Sequence, residues 1–546
     1  MNYTQIAVYA VALGLLSPPL GIYMAAALEN SSRLQSRIFG PAERLIYRLC
    51  GIDADEAMNW KEYLRALLVF SFFCFAAVFV MQLLQGKLPL NPNGLGAVEW
   101  MSALNTAVSF MTNTNWQGYA GETTMSHFTQ MAGLAVQNFL SAAAGIAVMA
   151  AMVRGLAKRT ETLGNFWGDM TRITVRLLLP LSLLAAGLLV WQGVPQTFAP
   201  NARAVTVEGA AQTIPLGPAA SQIAIKQIGT NGGGYYNANS AHPLENPTPL
   251  SNFIEMLALL LLPAACVFAY GEMAGNRRHG ALLFAVMLAF WAAGLAVSLW
   301  AESGNPAALE GKEVRFGITN SVIWAVSTTA ASNGSVNAMH SSLSPLAGGT
   351  ALFNIMLGEV VFGGAGSGMY GMLLFVLLTV FLCGLMVGRT PEYLGRKIEK
   401  NEILLTIIGV LAPGAAILAG AALSCAVPAA LASLSCGAPH GFSELLYAWT
   451  SAAGNNGSAF AGLNANTPFF NIGLAAAMLI GRFAVIIPCL AIAGGMGLKK
   501  QCPPSAGTLP TDTLTFGALL GAVILIVGGL TFFPALALGP LAEHLL

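Results

Sequence analysis

The sequence predicts an all-α integral membrane protein of about ten transmembrane helices, organised as four repeated units of span, half-helix, loop and span. Three observations point to this class. Of the 546 residues, 55% are hydrophobic and only 9% charged, against about 25% charged in an average soluble domain. Apolar runs of the roughly 20 residues needed to cross a hydrocarbon core recur along the chain. Four Asn/Gly-rich loops interrupt these runs at similar spacing.

The spans are expected at roughly 3–28, 63–86, 128–153, 172–194, 250–273, 280–301, 350–388, 402–424, 467–496 and 514–538. The first lacks a basic n-region, and the following SPPLGIYMAAALENSS holds no convincing processing site, so it reads as a retained helix. Nineteen Lys and Arg residues, from Arg33 to Lys500, fall in one alternating set of loops, and five (Lys87, Arg203, Lys226, Lys312, Arg315) in the other. The positive-inside rule places the nineteen in the cytoplasm and both termini outside. Nine acids share the outer loops, giving them a formal charge of −4, which concentrates cations at that surface. The eight cysteines are scattered without a C-x-x-C pair, which argues against zinc or redox chemistry. Cys425 and Cys436 share an outer loop, as a disulfide or as two unpaired thiols.

The loops FMTNTNWQGYAGE (110–122), IGTNGGGYYNAN (228–239), TAASNGSVNAMH (329–340) and AAGNNGSAFAGL (452–463) align on Asn115, Gly232, Gly334 and Gly457, at intervals of 117, 102 and 123 residues. This is an internal repeat. Three of the following spans open with Ser or Thr before Pro, at Thr248, Ser344 and Thr467. A capping hydroxyl followed by a residue with no N–H to satisfy starts a helix well. Upstream of each loop lies a stretch of ten to thirteen residues, VEWMSALNTAVSF, AASQIAIKQI, TNSVIWAVSTTA and FSELLYAWTSA. Each is too short to cross and suits a re-entrant half-helix. Glu99 and Glu444 open two of them, where the helix dipole favours an acid.

Irregular backbone at membrane depth is tolerated only when buried in protein or lining a watery path, so the four loops are expected to converge on one axis. The half-helices then direct their partially negative C-terminal ends at it. Asn and Gly adopt the dihedrals that turn successive carbonyls toward a common centre. Such a ring of carbonyls replaces the hydration shell of a monovalent cation.

The motifs TNTNWQ, GTNGGGYYNANSAHPLENPTPLSN, NGSVNAMH, GEVVFGGAGSGMYGM and AGNNGSAFAGL, in this order, resemble the potassium-binding A subunit family of the bacterial Kdp potassium-importing P-type ATPase. The resemblance covers essentially the whole chain. It implies the potassium-transporter superfamily fold, four pseudo-repeated membrane–pore–membrane units in one polypeptide, in the bacterial inner membrane. It also implies uptake of K+ from outside, with ATP hydrolysed by a separate P-type B subunit and a C subunit and small F subunit completing the complex; lipid surrounds the chain, and no nucleic acid or nucleotide binds it. The units divide as an extra helix and cytoplasmic loop (1–62), pore units at 63–153, 154–279, 280–400 and 401–500, and a final helix (501–546). The K+ filter positions implied are Asn113, Thr114, Asn115, Thr230, Asn231, Gly232, Ser332, Asn333, Gly334, Asn455, Asn456 and Gly457, with Gln117 at the filter entrance. Asn115 departs from the glycine of the other three units, which breaks four-fold symmetry.

The seventh apolar stretch is nearly twice the length of one span, and its middle reads GEVVFGGAGSGMYG. Its glycines, Gly363, Gly364, Gly366 and Gly368 among them, predict a broken helix whose loop lies beneath the filter, resembling the family's gate; close packing through small residues is the competing reading. Glu359 and Arg482 are ionisable groups within spans. They read either as an electrostatic barrier with its counter-charge or as a structural ion pair. Arg389, in GRTPEYLG, resembles a family arginine near the coupling surface and is by itself an ordinary inner-side cation. His127, His242, His340 and His440 lack ligand spacing and read as loop hydrogen-bonding groups. There is no G-x-x-x-x-G-K-[ST] or D-K-T-G motif, so the chain is expected not to be an enzyme by itself. The alternatives are a passive or ion-coupled Trk, Ktr or plant high-affinity type of potassium transporter, and an integral-membrane enzyme. Against the enzyme stands the lack of a G-x-S-x-G nucleophile motif.

Overall fold

A computed structural model of the chain describes residues 3–304, 309–386, 388–503 and 508–546. Among these, ten helices have the length and hydropathy to cross a membrane: Thr4–Leu28, Trp60–Lys87, Thr129–Ala157, Phe166–Trp191, Pro249–Met273, Arg277–Ser303, Ser367–Met386, Lys400–Ala426, Pro468–Leu498 and Leu514–Leu545. The fold is all-helical apart from two small hairpins in loops, Ala202–Val205 with Ala211–Ile214 and Glu392–Tyr393 with Arg396–Lys397.

Helix starts follow local chemistry. At the fifth span Thr248 accepts from the Ser251 N–H at 3.1 Å, with Pro249 in the first turn. Proline also opens the helices after Ser344 and Thr467, but neither hydroxyl makes a capping bond. The capping expected at all three sites thus holds at one; the Ser344 and Thr467 hydroxyls are buried without a hydrogen-bond partner, while the Ser344 N–H donates to Glu302 at 2.6 Å. In the fourth span Pro180 has no N–H to offer the carbonyl of Arg176 four residues back. That carbonyl accepts from the Tyr23 hydroxyl at 2.7 Å, and the helix is a π turn over Ile173–Leu178.

The third span is the most enclosed, with 83% of its apolar window buried. Its small residues let backbones touch, as expected where packing rather than water exclusion drives association. A Cβ on Gly155 would lie 2.4 Å from the Ala493 carbonyl of the ninth span, and one on Gly145 would lie 2.4 Å from the Ala365 carbonyl. The first span packs along the fifth, where the Tyr9 hydroxyl donates to the Met256 carbonyl at 3.0 Å. An amphipathic helix absent from the sequence reading, Arg33–Cys50, follows the first span. It is pinned to the fourth by the buried Arg176–Glu43 pair.

Candidate functional site

Four half-helices stop inside the protein: Trp100–Met111, Ala219–Ile228, Gly317–Ala330 and Ala438–Ala453. They end in the same way. In each, the second residue past the cap donates its N–H to a carbonyl five back, Thr114 to Ser109 (2.9 Å), Asn231 to Lys226 (2.8 Å), Asn333 to Thr328 (3.0 Å) and Asn456 to Ser451 (2.8 Å). This is the Schellman termination, which requires a left-handed residue just after the cap. Asn113, Thr230, Ser332 and Asn455 supply it, with φ of 65°, 52°, 46° and 50°. Thr and Ser are unusual there, since a Cβ disfavours this region. The four-fold recurrence therefore marks a backbone shape imposed by the site, not by local preference.

The loops beyond form a closed ring. Asn113 Nδ2 donates to the Thr230 carbonyl at 3.1 Å, joining the first loop to the second. A Cβ on Gly232 would fall 2.0 Å from the Gly334 nitrogen, and one on Gly334 2.8 Å from the Gly457 carbonyl carbon, so the second, third and fourth loops touch backbone to backbone. Asn455 Nδ2 donates to Thr114 Oγ1 at 2.9 Å and closes the ring. Asn115, at the glycine-equivalent position of the first loop, has φ 56° and donates to Asn138 Oδ1 at 2.6 Å. The carbonyls of Gly232 and Asn333 are turned into the protein, accepting from Asn239 Nδ2 at 2.7 Å and from Thr328 Oγ1. Gln117 sits at the rim and bridges two loops, donating to the Gly234 carbonyl at 3.2 Å and accepting from the Gly234 N–H at 2.9 Å.

Beneath the ring the seventh apolar stretch is two helices, Pro345–Met356 and Ser367–Met386, joined by an irregular loop; residue 387 lies outside the described residues. Glu359, Phe362, Gly363 and Gly366 all have positive φ. The loop presses on the ring: the Ala365 N–H donates to Thr230 Oγ1 at 2.8 Å, and the Gly363 N–H to the Ala330 carbonyl at 2.8 Å. A Cβ on Gly364 would lie 3.5 Å from Thr230 Oγ1, and one on Gly368 would overlap the Phe362 carbonyl. Glu359 neighbours the hydroxyls of Ser332 and Ser367. Arg482 is buried and donates to the Ser141 carbonyl at 3.0 Å. Among the described residues no close salt bridge joins Arg482 to Glu359, although the two are near enough to interact electrostatically. Arg389 is exposed on the face where the seventh span ends.

Several side chains differ from expectation. The fourth half-helix begins at Ala438, with Pro439 in its first turn, so Glu444 lies in its second turn and accepts from the Ser435 N–H at 3.1 Å. Glu99 does cap its half-helix, accepting from Met101 N and Ser102 N at 2.9 Å. Lys226 and Lys312, counted with the outer loops, are fully buried against Glu245 and Glu302. Each pair is neutral, so the outer excess of acid is unchanged but rests on fewer charges. The four histidines hydrogen-bond as expected: His127, His340 and His440 bond the Leu216 carbonyl (3.1 Å), the Tyr447 hydroxyl (2.9 Å) and Glu543 (2.9 Å), and His242 Nδ1 accepts from the Leu244 N–H (3.1 Å) while the ring stacks on Tyr236. Cys425 and Cys436 are exposed and not joined.

The chain matches the family KdpA, Potassium-transporting ATPase A subunit, over residues 7–545. It is 55% identical to a potassium-transporting ATPase potassium-binding subunit of Rhodospirillum centenum, over 99% of this chain and 97% of that protein. With the protein of the same description in Pseudomonas aeruginosa the identity is 53%, over 97% and 96%. Among solved structures the potassium transporter TrkH of Vibrio parahaemolyticus superposes with a TM-score of 0.55 over 89% of this chain and 98% of that one. At 14% identity this likeness concerns the fold alone.

Proposed function

The chain belongs to the potassium-transporting ATPase A subunit family, and from that premise we propose that it binds and translocates K+ as one subunit of an ATP-driven importer. The observation that carries the reading is the ring of four loops, each set at the C-terminal end of a half-helix by the same termination. Four partially negative helix ends then face one point. No charged side chain stands in the filter positions, so selection falls to oxygen dipoles rather than to a carboxylate.

On this proposal K+ enters from the extracytoplasmic side, past Gln117, and exchanges its water for oxygens of the ring. The first position of each loop, Asn113, Thr230, Ser332 and Asn455, forms the innermost layer, because these four share one backbone conformation at the ends of the four half-helices. Thr114, Asn115, Asn231, Gly334, Asn456 and Gly457 shape the walls. The loop carrying Glu359, Gly363, Gly364, Gly366 and Gly368 closes the direct route inward, and the Arg482 guanidinium below it repels a cation that passes. The ion is then handed sideways to the P-type B subunit, docked on inner loops that include Arg389, with the C and F subunits completing the complex. Both termini lie outside the inner membrane. ATP chemistry resides in the B subunit, since this chain has neither nucleotide-binding nor phosphorylation motif.

Vesicle flux tests the reading against a passive Trk or Ktr type of transporter. The expected result is accumulation of K+ against its gradient only when the ATPase subunits are present and ATP is supplied. Rapid downhill flux through this chain alone would favour the passive alternative.

A further inference from the structure

Behind the second filter loop lies a buried charge cluster with no part in the ion path described above. Lys226, in the last turn of the second half-helix, is paired with Glu245, and both side chains are 0% exposed. The Lys226 ammonium also donates to Asn239 Oδ1 at 2.8 Å and to Ser240 Oγ at 3.0 Å. An ammonium has three donors, and all three are used. Glu255, on the fifth span and 1% exposed, accepts through Oε2 from Ser240 Oγ at 2.8 Å and from Gln227 Nε2 at 2.9 Å. Burying three ionisable groups is costly, and a structure that needed only packing would do better with apolar side chains of the same volume.

Two arms run from the cluster to the filter. Along the first, the ammonium fixes the oxygen end of the Asn239 amide, so the nitrogen end must face the other way. There it donates to the Gly232 carbonyl at 2.7 Å. Along the second, Gln227 donates to Glu255, which leaves its Oε1 to accept from Ser335 Oγ at 2.9 Å and Asn333 Nδ2 at 3.3 Å. The cluster thus decides which end of each amide meets the ring, on the second loop and on the third.

We propose that Lys226, Glu245 and Glu255 are positioning residues that set ion specificity by orienting Asn239 and Gln227 against the filter. The inference rests on the filter reading above. A carbonyl held back by Asn239 keeps the ring open at the size of its ion; a freed one swings and lets the ring collapse onto smaller cations.

Asn239→Asp is the sharpest variant. Aspartate is nearly isosteric, tolerates the φ of 53° found at this position and keeps the acceptor for Lys226, but loses the donor to Gly232. The partner variant Lys226→Met/Glu245→Met removes the ion pair as a unit and leaves Glu255 on its hydrogen bonds from Ser240 and Gln227. ATP-driven uptake by the complete complex in vesicles is measured for K+ with Na+ as competitor. Both variants are expected to raise the apparent KM for K+ by about tenfold or more and to let Na+ compete, with the maximal rate within about threefold of wild type. A merely structural cluster would lower the melting temperature and leave KM and competition unchanged, and that result overturns the proposal. If the double variant does not assemble, Asn239→Asp decides. Gly457→Ala, within the ring itself, separates the two levels: its discrimination lost while both cluster variants keep theirs overturns this proposal alone, whereas discrimination retained in all three overturns the filter reading with it.

Discussion

Gly457→Ala should disable the ring at a single point. Its φ is +97°, and an added Cβ would stand 1.9 Å from the Thr114 carbonyl oxygen on the neighbouring loop. Non-bonded carbon and oxygen rarely approach within 3.0 Å, so the two loops must part by about 1 Å. Both contacts are backbone, and no side chain can rotate away to absorb the shift. Binding constellations tolerate displacements of only about 0.5 Å, so the movement is twice what the site accepts. The left-handed conformation also adds about 1–2 kcal/mol of strain once a Cβ is present, a cost to folding stability that is the same with and without the ion. A misplacement of about 1 Å in a built site can cost up to about 100-fold, so the apparent KM for K+ in ATP-driven uptake by the reconstituted complex should rise by roughly tenfold or more, with weakened exclusion of Na+. Gly94→Ala is the matched control. It has φ +65° and nothing within 4 Å of the added carbon, so it carries the strain without the collision and should transport normally. An assembled Gly457→Ala complex with wild-type KM and discrimination would refute the placement of the ion in this ring.

Gln117→Ala deletes the two-way bridge to Gly234 and should raise KM severalfold while leaving the maximal rate intact, read from initial uptake rates. Glu43→Gln leaves the Arg176 guanidinium buried without its carboxylate, at a cost of about 3–5 kcal/mol; the melting temperature of the complex should fall while ion discrimination stays unchanged. Hydrogen bonding to Glu543 raises the pKa of His440 above its ordinary value. Its stabilisation is therefore fully present below about pH 6.5 and lost as pH rises through the raised pKa. Thermal melts across this window should show that loss in wild type and not in Glu543→Gln. Arg482→Gln removes the cation below the ring and should permit K+ leak without ATP, measured as downhill flux.

The ten spans were legible because hydropathy over twenty residues is a long, local signal. The half-helices were legible by their shortness, and the loops by Asn and Gly. The common termination at Asn113, Thr230, Ser332 and Asn455 was not, because Thr and Ser give no hint of a left-handed backbone; the ring imposes it. Lys226 read as an outer-loop cation because its partner Glu245 is nineteen residues away, and only folding brings them together. Arg33–Cys50 escaped because its apolar residues form a stripe broken by four arginines and Pro41, with no continuous run. FSELLY suggests a helix start at Glu444, but Pro439 already sets the first turn.

The most direct test is the position of the ion itself. Rb+ or Tl+ soaked into the assembled complex can be located by anomalous scattering. The account predicts a dehydrated ion at the centre of the ring, level with Asn113, Thr230, Ser332 and Asn455. An empty ring, with the ion instead beside Glu359 under the broken helix, would contradict it.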